Sequence, residues 1–297
     1  MTKIALELPS PVETITFRGM PYFLKRDDRI HPDFSGNKAR KFHWFLDHAP
    51  PDIHAVRSYG SPQSNAMYSL SVLAKLRGWR FEYRVDHVAG YLQRNPHGNY
   101  AAALNNGMEL VMEDRGWEKE EKGILWIEEG GRQAEAEYGV GILAQEIRAW
   151  QQERGIAALD LFLPSGTGTT ALFLQKAFVG MDHSQEISTR VHTTPCAGDA
   201  AYLRRQFAML EPDPHCHPAI LDLPRKYHFG RLYREFYEIW IELRHDTGVE
   251  FDLLYDPKGW LTLLAHRDRL GRDVMYLHQG GLLGNRSMLP RYQRKYP

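Results

Sequence analysis

Hydrophobic residues follow two alternating patterns along most of this chain. Short runs rich in β-branched and aromatic residues, such as the one through Val56 and the one at 158–164, are typical of strands. Longer runs in which apolar residues recur three and four positions apart are typical of helices. Brief Gly, Pro and Asn segments join the two kinds. Because strands that alternate with helices form mostly parallel sheets covered on both faces, the pattern predicts an α/β fold.

Two lysines at the start of one predicted helix are the first candidates for chemistry. The segment SGNKARKFHWFLDH begins with a turn, and Phe42, Phe45 and Leu46 form the apolar face of the helix that follows. Lys38 therefore lies near the helix N-terminus, and Lys41 lies one turn further along the same face. One lysine could form an imine while the other neutralises a phosphate. The alternative is that both are solvated surface charges, as most lysines are.

A glycine-rich turn between a predicted strand and a predicted helix is the second candidate. SGTGTT at 165–170 lets the backbone approach an anion, and the next helix would point free amide groups at it. A purely structural turn is one alternative. A dinucleotide fingerprint through Gly166, Gly168 and Ala171 is another, but the following predicted strand ends at Pro195 without the acidic residue that this fingerprint needs.

Three further stretches carry polar residues at the ends of predicted strands. GSPQSN at 60–65 precedes a helix, and its Ser64 is either the helix cap or a group with a chemical role. The other two are DLLYDPKGW, which contains Tyr255 and Asp256, and VMYLHQGGLLGN, which runs into a glycine turn. Because sites in parallel sheets lie at the carboxyl ends of strands, each of these stretches is a candidate site.

Composition changes this picture mainly by excluding partners. The 297 residues are 43% hydrophobic, which is enough for two lobes around a cleft. Thirty-seven basic residues balance thirty-seven acidic ones, so no net field attracts the chain to nucleic acid or to a membrane. The sequence has no run of 18 apolar residues, and its two cysteines are too few for a disulfide framework. With no apolar secretory core in the first residues, we expect a cytoplasmic protein.

One loop has the residue types of a zinc site. DPHCHP contains His215, Cys216 and His217, and imidazole and thiolate groups both suit zinc. Because no second pair of ligands accompanies them, we interpret the segment as a surface loop and expect no metal.

Five of these stretches, taken together, resemble one enzyme family. They are SGNKARK, GSPQSN, SGTGTT, DLLYDPKGW and VMYLHQGGLLGN. The sequence resembles the 1-aminocyclopropane-1-carboxylate deaminase and D-cysteine desulfhydrase family between Tyr22 and Asn285, and IEEGGRQAEAEYGV is similar to a Glu-Gly-Gly turn of that family. The resemblance implies pyridoxal 5'-phosphate as the cofactor and the two-lobed fold type II of the tryptophan synthase β-like enzymes.

The resemblance also implies a role for each matching position. Lys38 would hold the cofactor as a Schiff base, and Lys41 would contact its phosphate. Ser64 would offer a hydroxyl to the substrate, and Asn65 would lie near the cofactor ring. The other implied site residues are the phosphate loop of Ser165, Gly166, Thr167, Gly168 and Thr169, the catalytic Tyr255, and Asp256 beside the ring nitrogen.

Substrate choice depends on two positions at which the sequence differs from both branches of the family. The deaminases have Glu after the Tyr and Leu before the late Gly-Gly pair, and the desulfhydrases tend to have small hydroxyl residues at both places. Here these positions hold Asp256 and Gln279. An acid beside the ring nitrogen favours the protonated ring and hence a strong electron sink. The implied reaction is deamination of a small amino acid, D-cysteine or the cyclopropane amino acid, to ammonia and a 2-keto acid.

The architecture of relatives implies a small α/β domain at 48–155 and a large cofactor-binding domain formed by 1–47 and 156–297. Relatives are commonly dimers, so we expect a homodimer. Two other functions stay open. A catalytically inactive binding or regulatory protein of the same fold is one, although Lys38, Ser64 and Tyr255 are all retained. An NAD-binding oxidoreductase is the other, but it leaves SGNKARK and HQGG unexplained.

Overall fold

The computed structural model describes residues 6–112, 116–182 and 187–297, and it places their strands in two sheets. In chain order the strands are β1 (Val12–Phe17), β2 (Met20–Arg26), β3 (Ala55–Tyr59), β4 (Arg80–Arg84), β5 (Met108–Val111), β6 (Ile124–Trp126), β7 (Ala158–Ser165), β8 (Ser188–Pro195), β9 (Ala219–Ile220) and β10 (Val274–His278). The α-helices of this part of the chain are α1 (Gly36–Asp47), α2 (Asn65–Arg77), α3 (Gly90–Arg94), α4 (Gly98–Asn105), α5 (Ala136–Glu153), α6 (Thr169–Met181), α7 (Ala200–Leu210), α8 (Arg234–Thr247), α9 (Asp256–Ala265) and α10 (Asn285–Lys295). Strands and helices largely alternate, which confirms the predicted α/β class.

The small sheet contains four parallel strands in the order β5-β4-β3-β6. In the register of its central strand β3, Val56 lies opposite Phe81 of β4 on one side and Leu125 of β6 on the other. Val56 and Phe81 are both buried, as expected for a parallel sheet with covered faces.

The large sheet has six strands in the order β1-β2-β10-β7-β8-β9. All neighbouring strands are parallel except β1 and β2, which form an antiparallel hairpin. The turn of this hairpin is Arg18 and Gly19, and both residues have positive φ angles, of 49° and 73°. Two-residue hairpin turns favour such angles, but Arg-Gly is a weak signal for them, and the hairpin was not predicted.

Three buried clusters hold the sheets and helices together. The cluster around the small sheet includes Phe42 and Phe45 of α1, which confirms part of the predicted apolar face of that helix. Each fully buried side chain of this kind contributes roughly 1.5–3 kcal/mol. α1 thus packs with the small sheet, whereas the predicted division at residue 47 assigns it to the large domain. That division stays a prediction.

The strands of both sheets end close to one another. β3 ends at Tyr59, β7 at Ser165 and β10 at His278, and the turns that follow them border a single cavity. Nowhere in the described ranges is a helix both long and apolar enough to cross a membrane.

Candidate functional site

A cavity of about 490 Å³ lies where the turns after β3, β7 and β10 meet the first turn of α1 and one face of α10. Its volume is in the usual range for a site that holds a cofactor or a small ligand. All the predicted site residues line it, namely Lys38, Lys41, Ser64, Asn65, Ser165, Gly166, Thr167, Gly168, Thr169, Tyr255 and Asp256, and so does Gln279. The structure therefore brings together residues that are far apart in the sequence.

The start of α1 is held against the end of β10. Asn37 donates its backbone N–H to the Gln279 carbonyl at 3.1 Å. Gly36 has a φ of 66°, and a Cβ atom there would overlap the same carbonyl, so only glycine fits. The predicted position of Lys38 near a helix N-terminus is confirmed, because α1 begins at Gly36.

The amine of Lys38 lies at the wall of the cavity and donates to the side-chain oxygen of Asn37 at 3.3 Å. Burial disfavours the ammonium form and lowers the pKa of Lys38 to about 8, while the Asp252 carboxylate opposes this shift. Lys41 donates to the Gly130 carbonyl, and burial followed by the nearby Lys38 charge holds its pKa well below the usual value. Near neutral pH a useful fraction of the Lys38 amine is thus neutral and nucleophilic.

The turn at 165–170 forms a concave site at the start of α6. Gly168 has a φ of 75°, and a Cβ atom there would collide with the ring of Phe207. The hydroxyls of Thr167 and Thr169 lie 3.0 Å apart. The hydroxyl of Thr170 is buried and has no hydrogen-bond partner among the described residues. Free amide groups of the first helical turn and an unsatisfied hydroxyl are the donors expected around a phosphate.

The first turn of α2 also opens on the cavity. The Ser64 side chain accepts a hydrogen bond from the backbone N–H of Ala66 at 3.1 Å, so Ser64 is the helix cap. Its hydroxyl keeps a hydrogen to donate, and the chemical role stays a prediction. Asn65 accepts from the Asn99 amide at 2.6 Å, which fixes its side chain at the cavity edge.

Asp256 is buried at the start of α9, and both of its carboxylate oxygens accept hydrogen bonds. One accepts from the Tyr276 hydroxyl at 2.7 Å and the other from the Asp252 backbone N–H at 2.9 Å. Burial, and then the Asp252 charge, hold the pKa of Asp256 well above its usual value. Tyr255 lines the cavity, and its ring lies beside Gly166 of the turn at 165–170.

Asp252 is a cavity residue that sequence reasoning missed. One of its oxygens accepts from the backbone N–H groups of Leu254 at 2.8 Å and Tyr255 at 2.6 Å, so its side chain fixes the turn that presents Tyr255. Burial raises its pKa to about 7, while these hydrogen bonds and the Lys38 charge oppose the shift. An Asp shortly before a helix usually indicates a turn, so its place in the chain carries no specific signal of a site.

Gln279 connects α1, the helix that carries Lys38, to the strand end that leads into the turn at 165–170. Its amide nitrogen donates to the Pro164 carbonyl at 2.7 Å, and its amide oxygen accepts from the Asn37 side chain at 3.0 Å. Since Asn37 also accepts from Lys38, Gln279 belongs to a hydrogen-bond chain that ends at the candidate amine. The importance of this position for substrate choice stays a prediction.

Neither a protein-family model nor a curated protein sequence matches the chain. Among solved structures, an ACC deaminase homologue matches with a TM-score of 0.78 at 20% identity, covering 98% of this chain and 95% of the other. A hydrogen sulfide-producing enzyme from Fusobacterium nucleatum matches with a TM-score of 0.65 at 11% identity, covering 92% and 93%. A threonine deaminase from T.th. matches with a TM-score of 0.64 at 17% identity, covering 92% of each chain. The chain therefore has the fold of the fold type II pyridoxal-phosphate enzymes, as the sequence resemblance implied.

Proposed function

We propose that this protein is a pyridoxal-phosphate enzyme that deaminates a small amino acid and releases ammonia and a 2-keto acid. The observation that carries the proposal is the shared cavity of the Lys38 amine and the glycine-threonine turn at 165–170. An amine with a pKa of about 8 and a phosphate cradle are the two groups that an aldehyde with a phosphate tail requires.

The residues present fit this cofactor. The unpartnered Thr170 hydroxyl and the α6 N-terminus would hold the phosphate, and Lys41 would contact it from the cavity wall. Lys38 would supply the amine that bonds to the aldehyde. Asp256 would lie beside the ring nitrogen, as the resemblance implies.

When bound, the cofactor supplies an electron sink that stabilises negative charge on the substrate's α carbon. Side chains and backbone groups of the protein would bind the substrate and transfer its protons. The N-terminus of α2 would bind the substrate carboxylate, with Ser64 and Asn65 as its polar groups. Lys38 would take the α proton as its neutral amine, since its lowered pKa keeps it ready to accept. For a cyclopropane substrate, which has no α hydrogen, Ser64 or Tyr255 would start ring opening instead.

Two specific amino acids fit this substrate class, D-cysteine and 1-aminocyclopropane-1-carboxylate. Solved structures of the same fold include an ACC deaminase homologue and a hydrogen sulfide-producing enzyme, which supports testing both. Asp256 keeps an acid at the position that carries Glu in the deaminases, whereas Gln279 matches neither branch.

The test is an assay of the purified protein with added cofactor. The expected result is a yellow protein that releases keto acid from at least one of the two amino acids. Sulfide released with the keto acid from D-cysteine would identify a desulfhydrase, and keto acid from the cyclopropane amino acid alone would identify a deaminase. A protein that stays colourless with excess cofactor would contradict the proposal. A homodimer and a cytoplasmic location remain predictions.

A further inference from the structure

One wall of the cavity carries a cation that the proposed chemistry does not use. Arg291, on α10, lines the cavity and is only partly exposed. Its guanidinium donates to the Met288 sulfur at 3.2 Å and to the Gly230 carbonyl at 3.3 Å. A thioether is a weak acceptor, and the contact to the carbonyl is long, so most of the donor capacity of the guanidinium is unused.

Two buried arginines of the described chain show the more usual arrangement, in which a carboxylate pairs with the guanidinium. Arg40 binds Asp27 at 2.8 Å, and Arg26 binds Asp28 at 2.7 Å. Arg291 forms no ion pair with any residue of the described ranges, although Asp252 lines the same cavity. A cation that is partly removed from water without an anion is costly, and a bound anion would offset that cost.

A second donor lies next to this cation. Ser287 is one helical turn before Arg291, so the two side chains share a face of α10. Ser287 is 6% exposed, lines the same cavity and has a hydroxyl without a hydrogen-bond partner in the described part of the chain. The hydroxyl oxygen is buried beside Gly98, so Arg291 is the exposed donor of this wall, and rotation about the Cα–Cβ bond of Ser287 would add its hydroxyl as a second donor for an anion.

The position of this wall separates it from the carboxylate site at α2. Gly284, just before α10, lies beside Asn65, and a Cβ atom on it would be 3.5 Å from the Asn65 side-chain oxygen. Arg291 follows seven residues later, which is about 10 Å along a helix at about 1.5 Å per residue. Its guanidinium contacts the loop at Gly230 rather than α2, so an anion held there lies on a different part of the wall from one held at the α2 N-terminus.

We propose that Arg291 binds an anionic group at the far end of the substrate's side chain, with the Ser287 hydroxyl turned toward that group in the bound state. The inference rests on the proposed function and deepens it: amino acids whose β substituent carries a second carboxylate or similar anion should bind more tightly than D-cysteine or the cyclopropane amino acid, which lack one. In the reaction, Lys38 takes the α proton and the bond from the β carbon to the substituent breaks, with the electron pair leaving on the substituent. Water then converts the remaining three-carbon enamine, through its imine tautomer, to pyruvate and ammonia.

Two serine esters test this inference because they differ in little except the distal charge. O-Succinylserine and O-acetylserine both lose a carboxylate from the β carbon, but only the first has a second carboxylate. Pyruvate release from each ester, as both enantiomers, is measured over a concentration series to give KM and kcat/KM, and an ester that releases no pyruvate is titrated into the cofactor-loaded protein by calorimetry. We expect O-succinylserine to bind at least about tenfold more tightly, which is the usual effect of a hydrogen-bonded charge pair.

Variants at two positions of α10 test whether Arg291 causes the preference for O-succinylserine. Arg291→Met is expected to remove the preference, and Arg291→Lys to keep part of it. Arg294→Met removes the same charge from an exposed position of the same helix and is expected to keep the full preference.

The outcomes separate this inference from the proposed function. Pyruvate from both esters with equal affinity would overturn the anion site and leave the proposed function standing. Selective binding of O-succinylserine without pyruvate would support the anion site and contradict the lyase. A preference that survives Arg291→Met, or no binding of either ester, would overturn the inference.

Discussion

The amine of Lys38 is subject to two opposing influences. Burial at the cavity wall disfavours its ammonium form, and the Asp252 carboxylate favours it. Burial has the larger effect, so the pKa of Lys38 falls to about 8. A lysine in water titrates near 10.4 and would be almost fully protonated at neutral pH.

This lowered pKa predicts how the cofactor-free protein takes up pyridoxal phosphate. Because only the neutral amine attacks an aldehyde, the capture rate should rise with pH and reach half its maximum near pH 8. Stopped-flow absorbance across a pH series measures it. Asp252→Asn removes the carboxylate that raises the pKa of Lys38, so the midpoint should move to lower pH. A midpoint near 10.5 in the unchanged protein, the ordinary value for lysine, would contradict this account of the site.

Among the secondary-structure elements, the turn at 165–170 that precedes α6 depends on Gly168 for its backbone conformation. Gly168 combines a φ of 75° with close contact to Phe207, so Gly168→Ala adds both backbone strain and a collision. We expect Gly168→Ala to cost about 1–2 kcal/mol of stability from the backbone strain alone, and to weaken retention of pyridoxal phosphate. Gly180→Ala is the matched control, because it lies in the same helix α6 with open space around it. Equal cofactor affinity in the two variants would show that the turn does not hold the phosphate.

Helix α1, which carries Lys38, is held in place by a buried network of ion pairs. Arg40 binds Asp27 at 2.8 Å and Glu146 at 2.7 Å, and Lys25 binds Glu146 at 2.7 Å. Arg40 and Asp27 are fully buried. The network joins α1 to α5, to β2 and to the segment after it, and so restrains the helix whose Lys38 lines the cavity.

Breaking this network should destabilise the whole fold. Arg40→Met leaves the buried Asp27 without a cation and Glu146 with Lys25 alone, and the expected loss is about 3–5 kcal/mol in the free energy of unfolding by urea. Arg18→Met removes an exposed arginine that binds Glu242 and should cost less than about 1 kcal/mol. Similar losses for the two variants would mean that the buried network does not anchor α1.

At the scale of the whole molecule, the sequence predicts the parts of the fold that have local signals. The glycine turns at 36 and 168 and the cap at Ser64 each follow from a few neighbouring residues, and the structure places them at helix starts. Because parallel strands end at the same edge, such local turns also predict most of the cavity.

The remaining features depend on distant parts of the chain. β10 lies between β2 and β7, and no short segment specifies that order. Arg291 on an amphipathic helix has the pattern of an ordinary surface arginine, since only the packing of α10 against the cavity distinguishes it from Arg294. Asp252 likewise has the pattern of a turn residue until its neighbours in space are known.

Identification of the amine that bonds to pyridoxal phosphate is the most direct chemical test of the role of Lys38. The cofactor-loaded protein is reduced with borohydride, digested, and the modified peptides are mapped by mass spectrometry. The account predicts one phosphopyridoxyl group, on Lys38, and none on Lys41, with Lys38→Ala protein unlabelled. Labelling of another lysine, or equal labelling of the Lys38→Ala protein, would contradict it.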